Sequence, residues 1–301
     1  MNLFNLLNQA ADRFPDNGAT YSGTECTGTF SQLRARALSI AGALQQQHAP
    51  GDRIAIVSEN CPEYIEFMFG IWAAGLMAVP INAKLHVREM TDILLDCGAT
   101  RIVASSKLAG ELEPACKTAL RGRARMVVIG SKEHAAMLRA APAQPADVTP
   151  DYLAWLFYTS GTTGRSKGAM LSHRNLIAMA VAHLADIESA DETMSLIHGA
   201  PMSHGSGLYI LPYIARGARQ VVPASGGFDA AEFLDLCDHH PSCCAFLAPT
   251  MVQRLRAEAE RSGRRPTHLQ TIVYGGAPMY VEELKRSIAT FGPVFAQIYG
   301  Q

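Results

Sequence analysis

The fold is decided by the stretch Tyr158-Thr159-Ser160-Gly161-Thr162-Thr163-Gly164-Arg165-Ser166-Lys167-Gly168. Residues 152–158 ahead of it are almost all apolar or aromatic, which predicts a buried strand. Residues 170–185 behind it carry apolar side chains at helical spacing, with Ser172 as the expected N-cap. The stretch itself combines glycines, hydroxyl side chains and one lysine, so its amides, hydroxyls and ammonium group can face a single anion. The sequence therefore predicts a phosphate-binding loop between a strand and a helix.

Two other interpretations apply to stretches of this composition. A loop of glycine, serine and threonine can be an ordinary turn with no ligand, but the density of hydroxyls together with Lys167 favours nucleotide phosphate. The Walker pattern requires Gly-Lys-Ser/Thr at the start of a helix, whereas here Lys167 lies between Ser166 and Gly168. That lysine context argues against a kinase or another NTPase of the Walker class.

The loop resembles the signature of the adenylate-forming enzymes, the superfamily of acyl-CoA synthetases, luciferases and peptide-synthetase adenylation domains. The common form of that signature is Ser/Thr-Ser-Gly-Thr-Thr-Gly-x-Pro-Lys-Gly. Ser166 stands where the family usually has proline, which should loosen the loop because proline fixes φ. The resemblance implies catalytic roles for Lys167 and Thr163. It also implies that ATP contacts Thr159, Ser160, Gly161, Thr162, Thr163, Gly164 and Lys167.

Three later segments resemble further family motifs and lie where predicted strands end, which is where open α/β sheets bind ligands. Residues 200–207 resemble a Pro-Met/Leu-x-His segment, which implies that His204 lies beside the reacting carboxylate as a third catalytic group. The segment Gly275-Gly276-Ala277-Pro278 resembles the family stretch that lines the adenine and acyl pockets. The segment Gln297-Ile298-Tyr299-Gly300 resembles the start of Tyr-Gly-x-Thr-Glu, in which Tyr299 would stack on adenine.

Taken singly, each of these segments could be a glycine-containing turn, and His204 could be a satisfied histidine in a turn. Four matches in the expected order along most of the chain favour the family. The acyl-binding residues that the resemblance implies are Met202, His204, Tyr209, Met251 and Gly276.

Strands and helices alternate along the chain, a pattern typical of mostly parallel sheets covered by helices. The predicted strands are 53–57, 76–80, 101–104, 126–129, 193–197, 221–223, 244–247, 271–274 and 294–298. With the resemblance, this predicts an α/β fold of two packed, helix-covered, mostly parallel sheets, without the family's small carboxy-terminal domain. We expect residues 1–49 and 189–301 to form one subdomain and residues 50–188 to form the other, with the phosphate loop.

The composition of the chain excludes some classes of protein. A net charge of −1 over 301 residues gives no electrostatic case for a nucleic-acid partner. The seven cysteines form no Cys-x-x-Cys pair, which favours reduced thiols and a cytoplasmic protein. Residues 67–81 are apolar but too short to span a bilayer and are interrupted by Gly70, Gly75 and Pro80, so no transmembrane segment is predicted. Whether the protein is a homo-oligomer is left open.

A cluster of thiols and imidazoles raises zinc as an alternative ligand. The cluster consists of Cys237, His239, His240, Cys243 and Cys244. It lacks the usual paired spacing, and neighbouring residues such as Cys243 and Cys244 point to opposite faces of a strand. We therefore predict no metal site here.

The resemblance implies an ATP-dependent ligase that joins a fatty or aryl carboxylic acid to coenzyme A through an acyl-adenylate, with release of pyrophosphate. ATP, Mg²⁺ and coenzyme A are the implied cofactors, and a small-molecule acid is the implied partner. Many relatives have a basic residue that contacts coenzyme A near the position of Ser225, and none is present here. An acyl-AMP ligase that loads a carrier protein, or a non-catalytic nucleotide-binding relative, therefore stays as an alternative.

In the family, a threonine and a Mg²⁺-binding glutamate follow directly after the position of Gln301. A ribose-binding aspartate and a small domain with a catalytic lysine come later. We therefore expect this chain to be the amino-terminal, ATP- and acyl-binding portion of a longer enzyme, with little or no turnover by itself.

Overall fold

The computed structural model describes residues 1–159 and 166–299. The predictions for Ser160, Gly161, Thr162, Thr163, Gly164 and Gly300 therefore lie outside the described residues. None of the helices described combines the length and the apolar composition that a bilayer crossing requires.

Helices in the described residues have the following bounds. They are α1 Phe4–Arg13, α2 Phe30–Gln45, α3 Pro62–Ala73, α4 Val87–Cys97, α5 Ser106–Thr118, α6 Lys132–Leu138, α7 His173–Asp186, α8 Gly205–Ala215, α9 Ala230–His239, α10 Pro249–Ser262 and α11 Val281–Phe291. The strands are β1 Gly18–Ser22, β2 Glu25–Thr29, β3 Arg53–Ser58, β4 Met77–Asn82, β5 Arg101–Ala104, β6 Arg125–Val128, β7 Leu153–Thr159, β8 Lys167–Ser172, β9 Ser195–Ile197, β10 Arg219–Val222, β11 Cys243–Leu247, β12 Leu269–Tyr274 and β13 Phe295–Gln297.

The chain divides into two compact units, each assembled from three segments. The first comprises Met1–Asp12, Ser31–Glu59 and Glu63–Met179. The second comprises Arg13–Phe30, Asn60–Pro62 and Ala180–Gln301. The subdomain boundaries expected after residues 49 and 188 stay predictions.

Within the described residues each unit contains one sheet, and the predicted fold class is confirmed. The first unit holds a six-stranded sheet of order β6-β5-β3-β4-β7-β8, parallel except for the β7/β8 pair. The second holds a seven-stranded sheet of order β13-β12-β11-β9-β10-β1-β2, parallel except for the β1/β2 pair. In both sheets an antiparallel strand therefore lies at an edge of a parallel arrangement.

Tryptophans occupy the core of the first unit. Trp72 and Trp155 are fully buried with ring centroids 6.3 Å apart, and the Trp72 indole donates to the carbonyl of Ala154 at 2.8 Å. Every residue of α3 from Tyr64 to Ala73 is buried, so this helix has no polar face. The one carboxylate among them, Glu66, is 2% exposed and pairs with Arg36 at 2.6 Å.

Apolar side chains of the second unit alternate between the two faces of its sheet. Along β11, Cys243 and Leu247 pack in a cluster with helices α9 and α10, and Cys244 packs in another cluster with Tyr213 of α8. Alternation with period 2 therefore gives this sheet a helical layer on each face.

The sequence analysis did not predict the strand directly after the phosphate loop. Residues 167–172, of which 170–172 were grouped with the following helix, form β8, which pairs antiparallel with β7. Apolar residues in and after this short edge strand also fit a helical period, so the sequence pattern was ambiguous. The predicted cap is confirmed, since the Ser172 hydroxyl accepts from the backbone N–H of Asn175 at 3.2 Å and α7 begins one residue after Ser172.

A close contact holds the β7–β8 hairpin together. Tyr158 and Gly168 are partners in register, and a Cβ built on Gly168 would lie 2.9 Å from Cζ of the Tyr158 ring. The ring is 7% exposed, and its hydroxyl donates to Asp96 at 2.5 Å, so it cannot move aside without losing that bond. Burial and the Asp96 hydrogen bond raise the pKa of Tyr158. Glycine at position 168 is therefore a packing requirement.

We expect Gly168→Ala to destabilise the protein by about 1 kcal/mol and to lower Tm by about 2–4 °C, because the added methyl group overpacks the ring. In a Tyr158→Leu background the same change should cost much less. Gly227→Ala is the matched control, since a Cβ there meets nothing within 4 Å. Thermal unfolding of the four variants and the parent measures both effects. Equal shifts for Gly168→Ala with and without the Tyr158 ring would contradict the packing argument.

Candidate functional site

The hairpin of the first unit presents the two ends of the predicted phosphate loop side by side. Thr159 is the last residue of β7, Lys167 is the first residue of β8, and the two are partners in register. Both are exposed. Because cross-strand partners project from the same face of a sheet, the Thr159 hydroxyl and the Lys167 ammonium group stand together, one before and one after the predicted phosphate-binding residues in the sequence. A cation and a hydroxyl at the base of a glycine-rich loop suit an anionic ligand.

In the second unit, one asparagine that the sequence analysis did not single out holds the segment carrying His204. The Asn60 amide donates to the carbonyls of His198 and Ala200 at 2.8 and 2.9 Å, and its oxygen accepts from the backbone N–H of Met202 at 2.9 Å. Asn60 is 9% exposed. Residues 198–204, named here the His204 segment, are thus hydrogen-bonded at three points by a single side chain.

A buried histidine fixes the start of α8, directly after the His204 segment. His198 is fully buried, its Nδ1 lies 2.7 Å from the Ser206 hydroxyl and its Nε2 lies 3.1 Å from Oε1 of Gln220. Gln220 donates its own amide to the carbonyl of Ala218, so its oxygen must accept from His198 Nε2–H. Burial lowers the pKa of His198 to about 4, so the imidazole is neutral near pH 7. Its Nδ1 then accepts from the Ser206 hydroxyl, and the ring ties α8 to β10 and to the end of β9.

His204 itself occupies the N-cap position of α8 and is half-buried. Its Nδ1 lies 2.9 Å from the hydroxyl of Ser203. Met202, predicted to bind the acyl group, is fully buried. Gly205, which follows His204, lies so close to Phe246 that a Cβ built on it would be 2.2 Å from the ring. The first turn of α8 is thereby seated directly on β11.

Tyr209, predicted to bind the acyl group, packs in a cluster of aromatic rings. Tyr209 stacks on Phe246 with ring centroids 5.6 Å apart and an interplanar angle of 20°, and the His183 ring meets its edge at 5.0 Å. Burial raises the pKa of Tyr209 to about 12 and lowers the pKa of His183, so both are neutral near pH 7. Met251 packs in the helical layer on the opposite face of the sheet, so the described structure does not bring it together with Tyr209.

The predicted adenine-binding segments lie together at the ends of β12 and β13. The strands are parallel neighbours, and the Tyr274 hydroxyl donates to Gln297 at 3.3 Å. A Cβ on Gly275 would lie 2.6 Å from the Ile298 side chain, so glycine permits this close approach. Gly276 has φ +81°, a left-handed conformation that favours glycine. Residues 276–278 are exposed, as is Tyr299, which leaves a flat group room to lie against them.

No group of three or more His, Cys, Asp or Glu side chains within residues 1–159 and 166–299 is placed to hold a metal ion. Cys243 and Cys244 are buried on opposite faces of β11, and the His240 ring lies 2.9 Å from the carbonyl of Gly23. Cys243 and Cys244 therefore cannot ligate the same ion.

Sequence reasoning missed Asn60, His198, Ser206 and Gln220. Their positions carried a weak signal: Asn60 follows the end of β3 and His198 follows the end of β9, where ligands are expected in such sheets. Both side chains act on the backbone and on other buried groups, and no local motif records such contacts.

Comparison with known proteins agrees with this geometry. The family described as AMP-binding enzyme matches residues 7–301, and the chain belongs to it. A feruloyl-CoA synthase of Amycolatopsis sp. is 31% identical over 277 residues, which cover 90% of this chain and 54% of that protein. The fatty acid–acyl-carrier-protein ligase ScoC of Streptomyces coeruleorubidus is 32% identical over 282 residues, 91% of this chain and 53% of the relative.

Solved structures show the same fold. The inhibitor-bound N-terminal domain of FACL13 from Mycobacterium tuberculosis superposes with a TM-score of 0.87 at 26% identity, covering all of this chain and 76% of that one. The chain spans about half the length of the curated relatives it matches. The predicted resemblance to the adenylate-forming enzymes is confirmed.

We expect Asn60→Asp to destabilise the protein by about 2–3 kcal/mol at neutral pH, because a carboxylate would face the two carbonyls that now accept from the amide. Burial raises the pKa of the introduced carboxyl above its unfolded value, so its penalty is smallest when it is protonated. The deficit should grow as the pH rises from about 4 to about 7. Urea unfolding across this range measures it, with the exposed Asn5→Asp as control. A deficit that is constant with pH would contradict the burial of this contact.

Burial lowers the pKa of His198 from 6.5 to about 4, with the Gln220 contact opposing the shift. A histidine of this kind stabilises the fold fully above its unfolded pKa, and the contribution is lost as the pH falls from 6.5 toward 4. We expect the free energy of unfolding to fall as the pH is lowered over this window. His198→Gln should make the fall less steep, by an amount that corresponds to up to about one bound proton. Chemical unfolding at several pH values gives both slopes. Parallel curves for the variant and the parent would rule out the assigned role.

Proposed function

We propose that the whole protein is an ATP-dependent carboxylic acid–CoA ligase that forms an acyl-adenylate, releases pyrophosphate and then transfers the acyl group to coenzyme A. The observation that carries this proposal is the β7–β8 hairpin, whose ends place Lys167 beside Thr159. Membership of the AMP-binding enzyme family supports the use of ATP. Relatives named as CoA synthases and ligases support the thioester step.

The proposed chemistry explains the residue types of the site. A carboxylic acid with a pKa of about 4 is already ionised at neutral pH, so its attack on the α-phosphorus of ATP needs no general base. The reaction needs alignment and neutralisation of the charge that moves onto pyrophosphate. Lys167, Thr159 and the loop hydroxyls, with Thr163 among them, would hold the phosphates, and His204 would lie beside the carboxylate.

Mg²⁺ belongs to this proposal as the counter-ion of ATP, where it would screen phosphate charge. In the whole protein it would be held by phosphate oxygens, by water and by the glutamate that the family has after the position of Gln301.

We propose an aryl or fatty acid as the substrate. Tyr209 and Phe246 supply a flat apolar surface, and His183, which meets the edge of Tyr209, is kept neutral by burial. An amino acid would need a carboxylate to pair with its ammonium group, and the segments predicted to line the acyl site contain none.

Transfer to the phosphopantetheine of a carrier protein, in place of coenzyme A, is the second candidate. The relative ScoC, 32% identical to this chain, is named as an acyl-carrier-protein ligase. Absence of a basic residue near Ser225 agrees with this acceptor. A non-catalytic nucleotide-binding protein is the third candidate, against which the complete set of loop glycines, threonines and lysine argues.

The acceptor and the reaction class are tested by incubating full-length protein with ATP, Mg²⁺ and a panel of acids, with coenzyme A, with a carrier protein or with neither. We expect AMP, pyrophosphate and an acyl-CoA thioester. Thioester only on the carrier would select the second candidate. ADP would indicate a kinase, and the absence of any product with bound nucleotide would indicate a binding protein.

We expect Lys167→Ala to slow pyrophosphate exchange by about 10²–10³-fold, the cost typical of removing one preorganised charge-stabilising group. Because Lys167 is exposed, Tm should change little. Lys132→Ala, an exposed lysine on α6 of the same unit, is the control and should keep full exchange. Unchanged exchange in Lys167→Ala would refute its role.

A further inference from the structure

A cleft of about 410 Å³ lies at the amino-terminal ends of β3, β5 and β6 in the first unit. Its lining residues are Gln47, His48, Asp52, Thr100, Arg101, Gly122, Arg123 and Arg125. Its volume falls within the range of about 300–1,000 Å³ that small-molecule sites occupy. Nothing in the proposed reaction uses it.

The strand register places two of these arginines side by side. Arg101 begins β5, Arg125 begins β6, and the two are direct partners in the parallel pair. Partners in register project from the same face of a sheet, and like charges in that arrangement are destabilising. Arg123 adds a third guanidinium two residues before Arg125. A bound anion would relieve this repulsion.

The three arginines differ in how their charges are satisfied. Arg101 is 3% exposed and donates to Glu133 at 2.8 Å and to the Gln47 side chain. Arg123 and Arg125 are exposed, and no carboxylate in the described part of the chain pairs with either. Two guanidinium groups next to a buried third are therefore available to a ligand.

The remaining polar groups of the cleft are mutually engaged. His48 accepts from Arg101 Nε at 3.4 Å, and its Nδ1 lies 3.1 Å from the Thr100 hydroxyl and 3.4 Å from the Asp52 carboxylate. Asp52 also accepts from the backbone N–H of Ala49 at 3.2 Å. The only carboxylate in the lining is thus occupied by a neutral ring and an amide, and the net charge of the lining is positive.

We propose that this cleft is a second anion site, which binds a diphosphate group through the guanidinium forks of Arg123 and Arg125 over the buried charge of Arg101. Planar guanidinium groups bind phosphate oxygens in pairs, which gives geometry as well as charge. The diphosphate could be free pyrophosphate or the diphosphate of a nucleotide such as ATP or coenzyme A.

This site is distinct from the phosphate loop. The loop follows the carboxyl end of β7, whereas the cleft lies at the amino ends of strands parallel to β7 in the same sheet. β3 has six residues, which at about 3.3 Å per residue separates the two edges by about 20 Å.

The test is calorimetric titration of the full-length protein with inorganic pyrophosphate, ATP and coenzyme A in separate experiments at about 0.15 M salt, where exposed charges are screened. The variants are Arg123→Ala/Arg125→Ala, the charge-preserving Arg123→Lys/Arg125→Lys, and Lys167→Ala. Pyrophosphate should bind at two sites in the parent. In the double alanine variant the affinity of the cleft for pyrophosphate should fall by about tenfold or more. Lys167→Ala should weaken only binding at the phosphate loop.

Arg121→Ala is the matched control, because Arg121 lies in the same loop but lines a neighbouring groove instead of the cleft. It should leave the cleft component within about threefold, since only long-range charge is lost. The double lysine variant should bind nearly as weakly as the double alanine variant, because the forks are gone. Tm in phosphate-free buffer, which should not fall in either double variant, excludes misfolding.

A single pyrophosphate site, or equal losses in Arg121→Ala and the double alanine variant, would overturn the proposal in favour of general charge attraction. Tighter binding of pyrophosphate than of ATP and coenzyme A would identify the free anion as the ligand, and the reverse order would identify a nucleotide. Pyrophosphate exchange should persist in the double alanine variant. Loss of anion binding in the cleft can therefore be told apart from loss of the proposed ligase activity.

Discussion

The contact between the Tyr158 ring and the bare backbone of Gly168 is the constraint on which the first unit's site depends. It lets two antiparallel strands approach closely at the edge of an otherwise parallel sheet. The strand pairing holds Thr159 and Lys167 side by side, so a hydroxyl and an ammonium group keep a defined arrangement. Groups that are held in place before a ligand arrives lose less conformational entropy when the ligand binds.

In the second unit, buried polar side chains fix the geometry of the segment that carries His204. Asn60 and His198 make their hydrogen bonds to backbone and to other buried groups, so each partner would be left unsatisfied by their removal. Such fully satisfied networks specify one arrangement of the chain. The His204 segment is an irregular connection between β9 and α8, and it is this network that gives an irregular connection a defined geometry.

Much of the fold was predictable from the sequence. Strands such as β5 and β12 are short apolar runs flanked by turn residues, and alternation with helices fixed the class of sheet. β8 and α8 were not predictable in the same way. The pattern of β8 fits two periods, and α8 begins with glycines, contains Pro212 and is buried on most sides, so it shows no amphipathic stripe.

The residues of the candidate site also fall into a predictable and an unpredictable group. Residues whose proposed role rests on glycine geometry or on a fixed motif, such as Lys167 and Gly275, could be identified in the sequence. Asn60 and Gln220 were not, because their role depends on contacts with residues far along the chain. A register between strands, such as the one that pairs Arg101 with Arg125, is likewise a property of the folded sheet, and spacing in the sequence does not reveal it.

The sheet of the second unit joins the two extremes of the chain. Thr20 of β1 is the register partner of Gln220 of β10, about 200 residues later. On a ribosome, β1 and β2 therefore emerge as a lone hairpin long before the neighbour they pair with exists, and an isolated two-stranded hairpin is at best marginally stable in water. Such non-local pairing slows folding and leaves an unpaired strand edge open to association with other nascent chains. Synthesis of this protein should consequently be sensitive to the supply of chaperones that shield exposed strands during translation.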